Sequence, residues 1–273
     1  MNALLHINGE RLMDNLLAQG KIGWVEGRGL ERDSYCPAYE QARAFARACM
    51  EAAGMQTRVD SVGNLFGLLP GSDSQAPRII AGSHLDAVQG GGIYDGAYGV
   101  FAAIEAAHSL REQGVQLRHG LEAVAFVGEE GGPLGGTFGS RSLCGLMQEL
   151  PGQAILAERG LSPAGIGAAA AASGTYVCYL EAHIEQGPVL ERQGLDIGIP
   201  TGIVGITRYR CRVFGEANHA GTTPMAERKD ALAAGIHAID CWLNYMRQEP
   251  EMVCNVAEIM IKPGQIGVVA GCF

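Results

Sequence analysis

The chain has 273 residues, of which 47% are hydrophobic, and carries a formal net charge of −9. This size allows one large domain or two smaller ones. The acidic net charge argues against nucleic-acid binding. The lack of any apolar run of about 18 residues argues against a membrane span. The N-terminus does not read as a signal peptide, and the eight cysteines form no C-x-x-C pair, so we expect reduced thiols in a cytoplasmic protein.

The first two hundred residues predict alternating helices and strands. The predicted elements are a helix at 35–53, a strand or hairpin at 59–69, a buried strand at 78–82, a helix at 96–113, and buried strands at 121–127 and 177–182. Ser34 is the expected cap of the first helix, and Pro37 falls in its first turn. The order strand, helix, strand is typical of an α/β sheet.

Composition shifts near residue 200, where a Gly- and Pro-containing segment predicts a hinge. The elements expected beyond it are a strand at 203–215, a helix at 224–247 that begins at Thr222-Thr223-Pro224, and a strand at 252–261. We therefore divide the chain into a metal-binding catalytic domain, 1–200, and a smaller α/β domain, 201–273.

Four ionisable side chains directly follow predicted strands, and a fifth begins the helix at 96–113. They are His84, Glu129, Glu130 and His183, together with Asp95 between glycines. Because ligands of open α/β sheets bind at the carboxyl edge of the strands, we expect these side chains to converge.

The residue types predict a metal centre. Imidazole binds zinc-like metals, and Asp86 could accept the proton of the other ring nitrogen of His84. In the Glu129-Glu130 pair, one carboxylate could bind metal while the other accepts a proton from water. Each motif alone has a plainer reading as a polar strand end, a helix cap or a solvated loop. Together they match a two-metal hydrolase site. His219 remains open, since it could simply belong to a capping loop.

The runs GSHLDAVQGGGIYDGAYG, GEEGG, GSR, LEAHIEQGPVLE and NHAGTTPM resemble the M20-type metallohydrolases. Within that group they are similar to the branch of N-carbamoyl-L-amino acid hydrolase, β-ureidopropionase and allantoate amidohydrolase. The resemblance covers nearly the whole chain. It implies a three-layer catalytic domain with a mixed sheet and a smaller α/β domain that forms a homodimer.

The resemblance also implies a role for each motif residue. His84 would bind one metal and His183 the other, Asp95 would bridge them, Glu130 would be a ligand, Glu129 the general base, Asp86 the partner of His84, Gln186 a substrate contact, and His219 an oxyanion donor that reaches the partner subunit. The two divalent ions would be zinc or manganese, with cobalt or nickel as alternatives. Metal-bound hydroxide would then attack the carbamoyl carbonyl of an N-carbamoyl-L-amino acid or related ureido acid.

Two departures from the family pattern concern the last part of the sequence. The family has a further metal-binding histidine downstream, and an asparagine followed by an arginine that hold the substrate carboxylate, whereas Gly267 stands in the asparagine's place here. We therefore expect both domains to be incomplete and turnover to be poor. Allantoate amidohydrolase and a non-catalytic dimerising or metal-binding remnant are the alternatives.

Overall fold

The computed structural model describes residues 5–273, which form two compact units, one ending at Gly198 and the other comprising Ile199–Phe273. The helices and strands of the first unit are α1 (Gly9–Gly20), β1 (Trp24–Val25), β2 (Gly29–Leu30), α2 (Pro37–Ala52), β3 (Gln56–Val59), β4 (Leu65–Leu69), β5 (Arg78–His84), α3 (Ala97–Glu112), β6 (Leu121–Phe126), α4 (Phe138–Leu143), α5 (Gln153–Glu158), α6 (Pro163–Ala168), β7 (Tyr176–Leu180) and α7 (Val189–Gln193). No helix in the described residues combines the length and apolar character that a membrane crossing requires.

The first unit is built on a five-stranded mixed sheet in the order β3-β4-β6-β5-β7. β4 pairs antiparallel with both β3 and β6, whereas β5 runs parallel to both β6 and β7. His84 at the end of β5 lies opposite Phe126 at the end of β6. The residues that follow the parallel strands therefore lie at the same edge of the sheet. The predicted α/β fold is confirmed.

The central strands of this sheet are covered on both faces, and their side chains alternate between the two. Leu65, Leu121 and Ala123 pack with the helices α1, α2 and α3 in the main core. Phe66 and Val124 point to the other face, where they pack against Leu143 of α4. Helix α3 is buried along most of its length because it lies between the sheet and the outer helices.

The predicted helix at 35–53 is observed as α2, but Ser34 is not its cap. The sulfur of Cys36 accepts a hydrogen bond from the Tyr39 amide at 3.3 Å, and Pro37 occupies the first turn. Cys36 is already extended, so the helix begins one residue after it and Ser34 lies too far upstream to cap it.

Strand β7 forms where the sequence predicts a strand, yet it is not buried. Val177 is 54% exposed and Leu180 is 57% exposed. β7 lies at the end of the strand order and has only β5 as a neighbour among the described residues. An apolar run therefore predicts a strand correctly without revealing whether both of its sides are covered.

The second unit contains one long helix, α8 (Ala231–Met246), and the strands expected at 203–215 and 252–261 do not form ladders. Pairing among its described residues is limited to isolated bridges, such as Phe214 with Cys272 and Lys262 with Cys272. A segment whose backbone N–H and C=O groups have no neighbouring strand to pair with does not form a β-strand, even where its side chains have a high β-propensity.

The start of α8 also differs from the prediction. Asp230 accepts hydrogen bonds from the amides of Leu232 and Ala233 and so caps the helix, while Met225–Glu227 forms a separate 3-10 turn. An aspartate beside two free amide donors is a strong cap, so the helix begins there rather than at Thr223.

Candidate metal centre

The side chains that follow the strands converge at the carboxyl edge of the sheet. His84 is the last residue of β5 and is 2% exposed, Glu129 and Glu130 follow β6, and His183 follows β7. Asp95 precedes α3 and lies among them. Two sets of ligand atoms each fit within 4.8 Å: His84 with Asp95 and His183, and His84 with Glu129 and Glu130.

Both imidazoles face one oxygen of Asp95. Nε2 of His183 is 3.2 Å from Asp95 Oδ1, and Nε2 of His84 is 4.0 Å from the same atom. The other ring nitrogens lie against carbonyl oxygens, His84 Nδ1 at 2.9 Å from Asp86 and His183 Nδ1 at 2.8 Å from Ile184. Since a carbonyl only accepts, the proton of each neutral ring is on Nδ1, and each Nε2 then presents a lone pair to Asp95.

This arrangement fits a cation. Asp95 Oδ1 is buried and has no hydrogen-bond donor, although two imidazole nitrogens lie close to it. Three acceptors that face one another repel unless a positive charge stands between them, and imidazole with carboxylate is a donor set that suits zinc-like metals. The residues present therefore fit a divalent metal ion.

The two glutamates add negative charge to the same place. Glu129 Oε2 lies 3.6 Å from His84 Nε2, and the Glu129 side chain is 39% exposed. Burial raises the pKa of the Glu130 carboxyl, and the charges of Asp95 and Glu129 raise it further against an opposing effect of His84. A bound cation would remove this repulsion.

Asp86 supports the centre in a different way from the one predicted. Its backbone carbonyl, rather than its carboxylate, is the hydrogen-bond partner of His84 Nδ1, since the nearer carboxylate oxygen is 3.9 Å away. The carboxylate instead accepts a 3.0 Å hydrogen bond from the Glu130 amide through Oδ2. Asp86 thereby connects the histidine at the end of β5 to the glutamate pair after β6.

Gly96 leaves the space that the His84 ring occupies. It has a φ of +62°, and a Cβ added there would lie 2.5 Å from ring atoms of His84. A positive φ is readily adopted only by glycine, so both the backbone and the packing require glycine at this position. The glycine between Asp95 and α3 is thus explained by the adjacent imidazole.

Gln186 contacts a residue of the centre. Its Nε2 donates a 2.8 Å hydrogen bond to Asp95 Oδ2. Gln186 itself has a φ of +56°, which is uncommon for a residue with a side chain. The structure therefore places Gln186 against the carboxylate expected to bind metal.

Glu181 is not among the site residues predicted from the sequence, yet it links the two strands that lead to the histidines. Ser83 Oγ donates a hydrogen bond to Glu181 Oε1, and Tyr179 OH donates one to Oε2 at 2.7 Å. The β5–β7 ladder ends at Ala81 and Leu180, just before this contact. The signal in the sequence was a single carboxylate between an apolar run and a candidate ligand.

His219 belongs to the second unit. Its Nδ1 accepts a 3.0 Å hydrogen bond from the Gly221 amide, so the proton of the neutral ring is on Nε2. The Ala220 amide donates to the Gly267 carbonyl at 2.7 Å, which places Gly267 beside this histidine. The ring of His219 can therefore act as a hydrogen-bond donor through Nε2.

Comparison with known proteins gives one family model and a consistent group of relatives. Residues 64–156 match the model described as Peptidase family M28. N-carbamoyl-L-amino acid amidohydrolase from Geobacillus stearothermophilus is 36% identical over 96% of this chain and 67% of its own length. Allantoate amidohydrolase from Bacillus subtilis (strain 168) is 38% identical over 89% of this chain and 62% of its own length.

A solved structure is also similar to this chain over nearly the whole of its length. The hydantoinase/carbamoylase family amidase from Burkholderia ambifaria superposes with a TM-score of 0.77 at 32% identity, over 99% of this chain and 69% of that one. The chain thus spans about two thirds of the length of the proteins it matches.

Proposed function

The chain belongs to the hydantoinase/carbamoylase family of amidohydrolases, and from that membership we propose that it is a metal-dependent hydrolase of the C–N bond in N-carbamoyl-L-amino acids or related ureido acids. The observation that carries the proposal is the group formed by His84, Asp95 and His183, in which two imidazole lone pairs and a buried carboxylate oxygen face one another. With both rings neutral these atoms are all acceptors, and a cation between them would remove their mutual repulsion.

We propose that His84, Asp95 and His183 hold one divalent ion, zinc or manganese. The sequence led us to expect that each histidine serves a different ion, but their shared approach to Asp95 Oδ1 favours one ion between them. Glu130 would serve a second ion on the other side of the centre, together with Asp95 as the bridging carboxylate. Divalent ions held there would polarise a substrate carbonyl and acidify a water molecule.

Glu129 would be the general base. Its carboxylate is partly exposed, so it can reach solvent and substrate, and it lies beside the centre at 3.6 Å from His84. It would accept a proton from the attacking water and deliver it to the departing amine. Glu130 is less free for this work because its main chain is fixed by Asp86.

His219 would stabilise the oxyanion. Its Nε2–H is the donor that the Gly221 contact leaves available, and donors aimed at a developing negative charge lower the barrier. We propose that it acts in the site of a second copy of the chain, so that residues 201–273 serve a homodimer while residues 1–200 hold the metals. Gln186, beside Asp95, would contact the substrate as it enters.

The substrate would carry a ureido group. Hydrolysis of an N-carbamoyl amino acid would release the amino acid and a carbamate, which decomposes to carbon dioxide and ammonia. Allantoate is the second candidate, because the relative named allantoate amidohydrolase is as similar to this chain as the one named for N-carbamoyl-L-amino acids.

The proposed place of action is the cytoplasm. All eight cysteines are free, as is usual in that reducing compartment.

The test is release of ammonia by the purified chain supplied with zinc, manganese or cobalt, with N-carbamoyl-L-amino acids and allantoate offered separately. The variant Glu129→Gln should keep its metal and lose about 10²- to 10⁴-fold of the rate, as loss of a general base does. Glu149→Gln, a change outside the centre, is the control. Metal binding without turnover of either substrate would favour the non-catalytic alternative.

A further inference from the structure

Arg32 is a buried cation behind the centre, and neither its sequence context nor the motifs point to it. It is 1% exposed and lies between β2 and α2. Nε donates to the carbonyl of Leu85 at 2.6 Å, and Nη1 donates to the carbonyls of Gln19 and Ile22 at 3.2 and 3.0 Å. Burial lowers the pKa of this guanidinium to about 10, and the negative charge of Asp86 opposes that effect.

Arg32 holds the segment 85–87 from two sides. Its side chain binds the carbonyl of Leu85, and its own carbonyl accepts a 3.0 Å hydrogen bond from the Ala87 amide. Asp86 lies between these two contacts. Its Oδ1 is buried without a hydrogen-bond partner, and the charge of the Arg32 guanidinium attracts this carboxylate.

The segment 85–87 in turn controls both halves of the centre. The Asp86 carbonyl accepts from His84 Nδ1, and in the neutral ring this contact leaves the lone pair on Nε2. The Asp86 carboxylate holds the Glu130 amide. A shift of Asp86 would therefore change the histidine and the glutamate pair together.

We propose that Arg32 is a positioning residue of the candidate metal centre, which it supports by fixing the segment 85–87 and thereby the ring of His84 and the main chain of Glu130. This inference rests on the proposed function only in taking the centre to bind metal. Among the described residues, the side-chain hydrogen bonds of Arg32 go to the carbonyls of Leu85, Gln19 and Ile22 and to none of the candidate ligands. Its effect is transmitted through Leu85, Asp86 and Ala87.

The test compares Arg32→Met, which keeps the alkyl length without donors, with Arg32→Lys, which keeps a charge but cannot make all three bonds. Cobalt titration should show about a tenfold or greater loss of affinity and an altered visible spectrum for the methionine variant, with partial recovery by lysine. Arg11→Met is the matched control. It removes an ion pair with the buried Glu105, so it should lower thermal stability and leave the affinity and spectrum of the folded chain unchanged.

A second readout needs no metal. Nitrogen NMR of the metal-free chain with labelled histidine should show His84 protonated on Nδ1 in the parent and a mixture of tautomers in Arg32→Met. Parent-like cobalt affinity together with a parent-like tautomer would overturn the proposal, and if the methionine variant does not fold, the lysine variant decides by the same two measurements. If the parent binds no cobalt, the proposed metal function fails, while the tautomer still decides the role of Arg32.

Discussion

Gln186 donates a 2.8 Å hydrogen bond to Asp95 Oδ2, on the opposite oxygen from the one that faces the two imidazoles. The amide therefore fixes the rotation of the carboxylate about its own bond. Without it, Asp95 Oδ1 would be free to turn away from His84 and His183. Gln186 thus has a structural task at the centre besides the substrate contact that we propose for it.

Replacement of Gln186 should accordingly affect metal binding. Gln186→Leu removes the donor at similar size, and we expect about a 10- to 100-fold loss of cobalt affinity, as is usual when a partner of a ligand is removed. Gln116→Leu, at an exposed position on the loop before β6, is the control. If Gln186 contacts only substrate, the leucine variant will bind cobalt as the parent does.

Metal stoichiometry separates one shared ion from one ion for each histidine. If His84 and His183 share an ion, His84→Ala and His183→Ala should each lose the same ion, and the double variant should lose no more. Elemental analysis of the purified variants measures this directly. A double variant that lacks one ion more than either single variant would restore the assignment expected from the sequence.

Glu181 should set the spacing of the two histidines, whose ring centres are 6.3 Å apart. Glu181→Ala removes the hydrogen bond from Ser83 that continues the β5–β7 pairing, together with the bond from Tyr179 of β7 itself, so we expect weaker cobalt binding and a changed spectrum, partly recovered by Glu181→Gln. Glu185→Ala is the control, because Glu185 accepts from the amides of Val189 and Leu190 at the start of α7. A parent-like spectrum for Glu181→Ala would exclude the role.

Gly96→Ala should damage the fold and the centre together. The new Cβ would need positive φ and would overlap the His84 ring, so we expect a loss of unfolding free energy of at least about 1–3 kcal/mol, with loss of metal. Gly114→Ala has a similar φ of +65° but open space around it, so it isolates the backbone strain. Urea unfolding of both variants checks the difference, and equal losses would contradict the overlap with His84.

The sequence was most informative where burial and chemistry coincide. β5 and β6 are short apolar runs that end in His84 and in the Glu129-Glu130 pair, so their pattern located both the strands and the edge at which the ligands meet. The motifs also identified the carbamoylase and allantoate branch, which the relatives confirm, although the matching family model is named M28. The individual roles of these residues stay predictions.

The remaining contacts could not be predicted, because they depend on which groups the fold brings together. Arg32 in the sequence resembles an ordinary surface charge, and only the structure shows it buried against the Leu85 carbonyl. Whether Asp86 uses its carboxylate or its carbonyl toward His84 depends on a turn of the backbone rather than on residue type. Likewise, propensity alone cannot tell whether 203–215 finds a strand to pair with.

The candidate ligands of the centre come from distant parts of the chain: Ser83, next to His84, is 98 residues from Glu181, which lies two residues before His183. An unfolded chain cannot hold an ion with groups so far apart without first closing a long loop, so the metal binds almost solely to the folded form. By mass action, an ion at 100 times its Kd would add about 2.7 kcal/mol to the free energy of unfolding. The supply of metal in the cell would then govern how long each molecule survives proteolysis, independently of any reaction it catalyses.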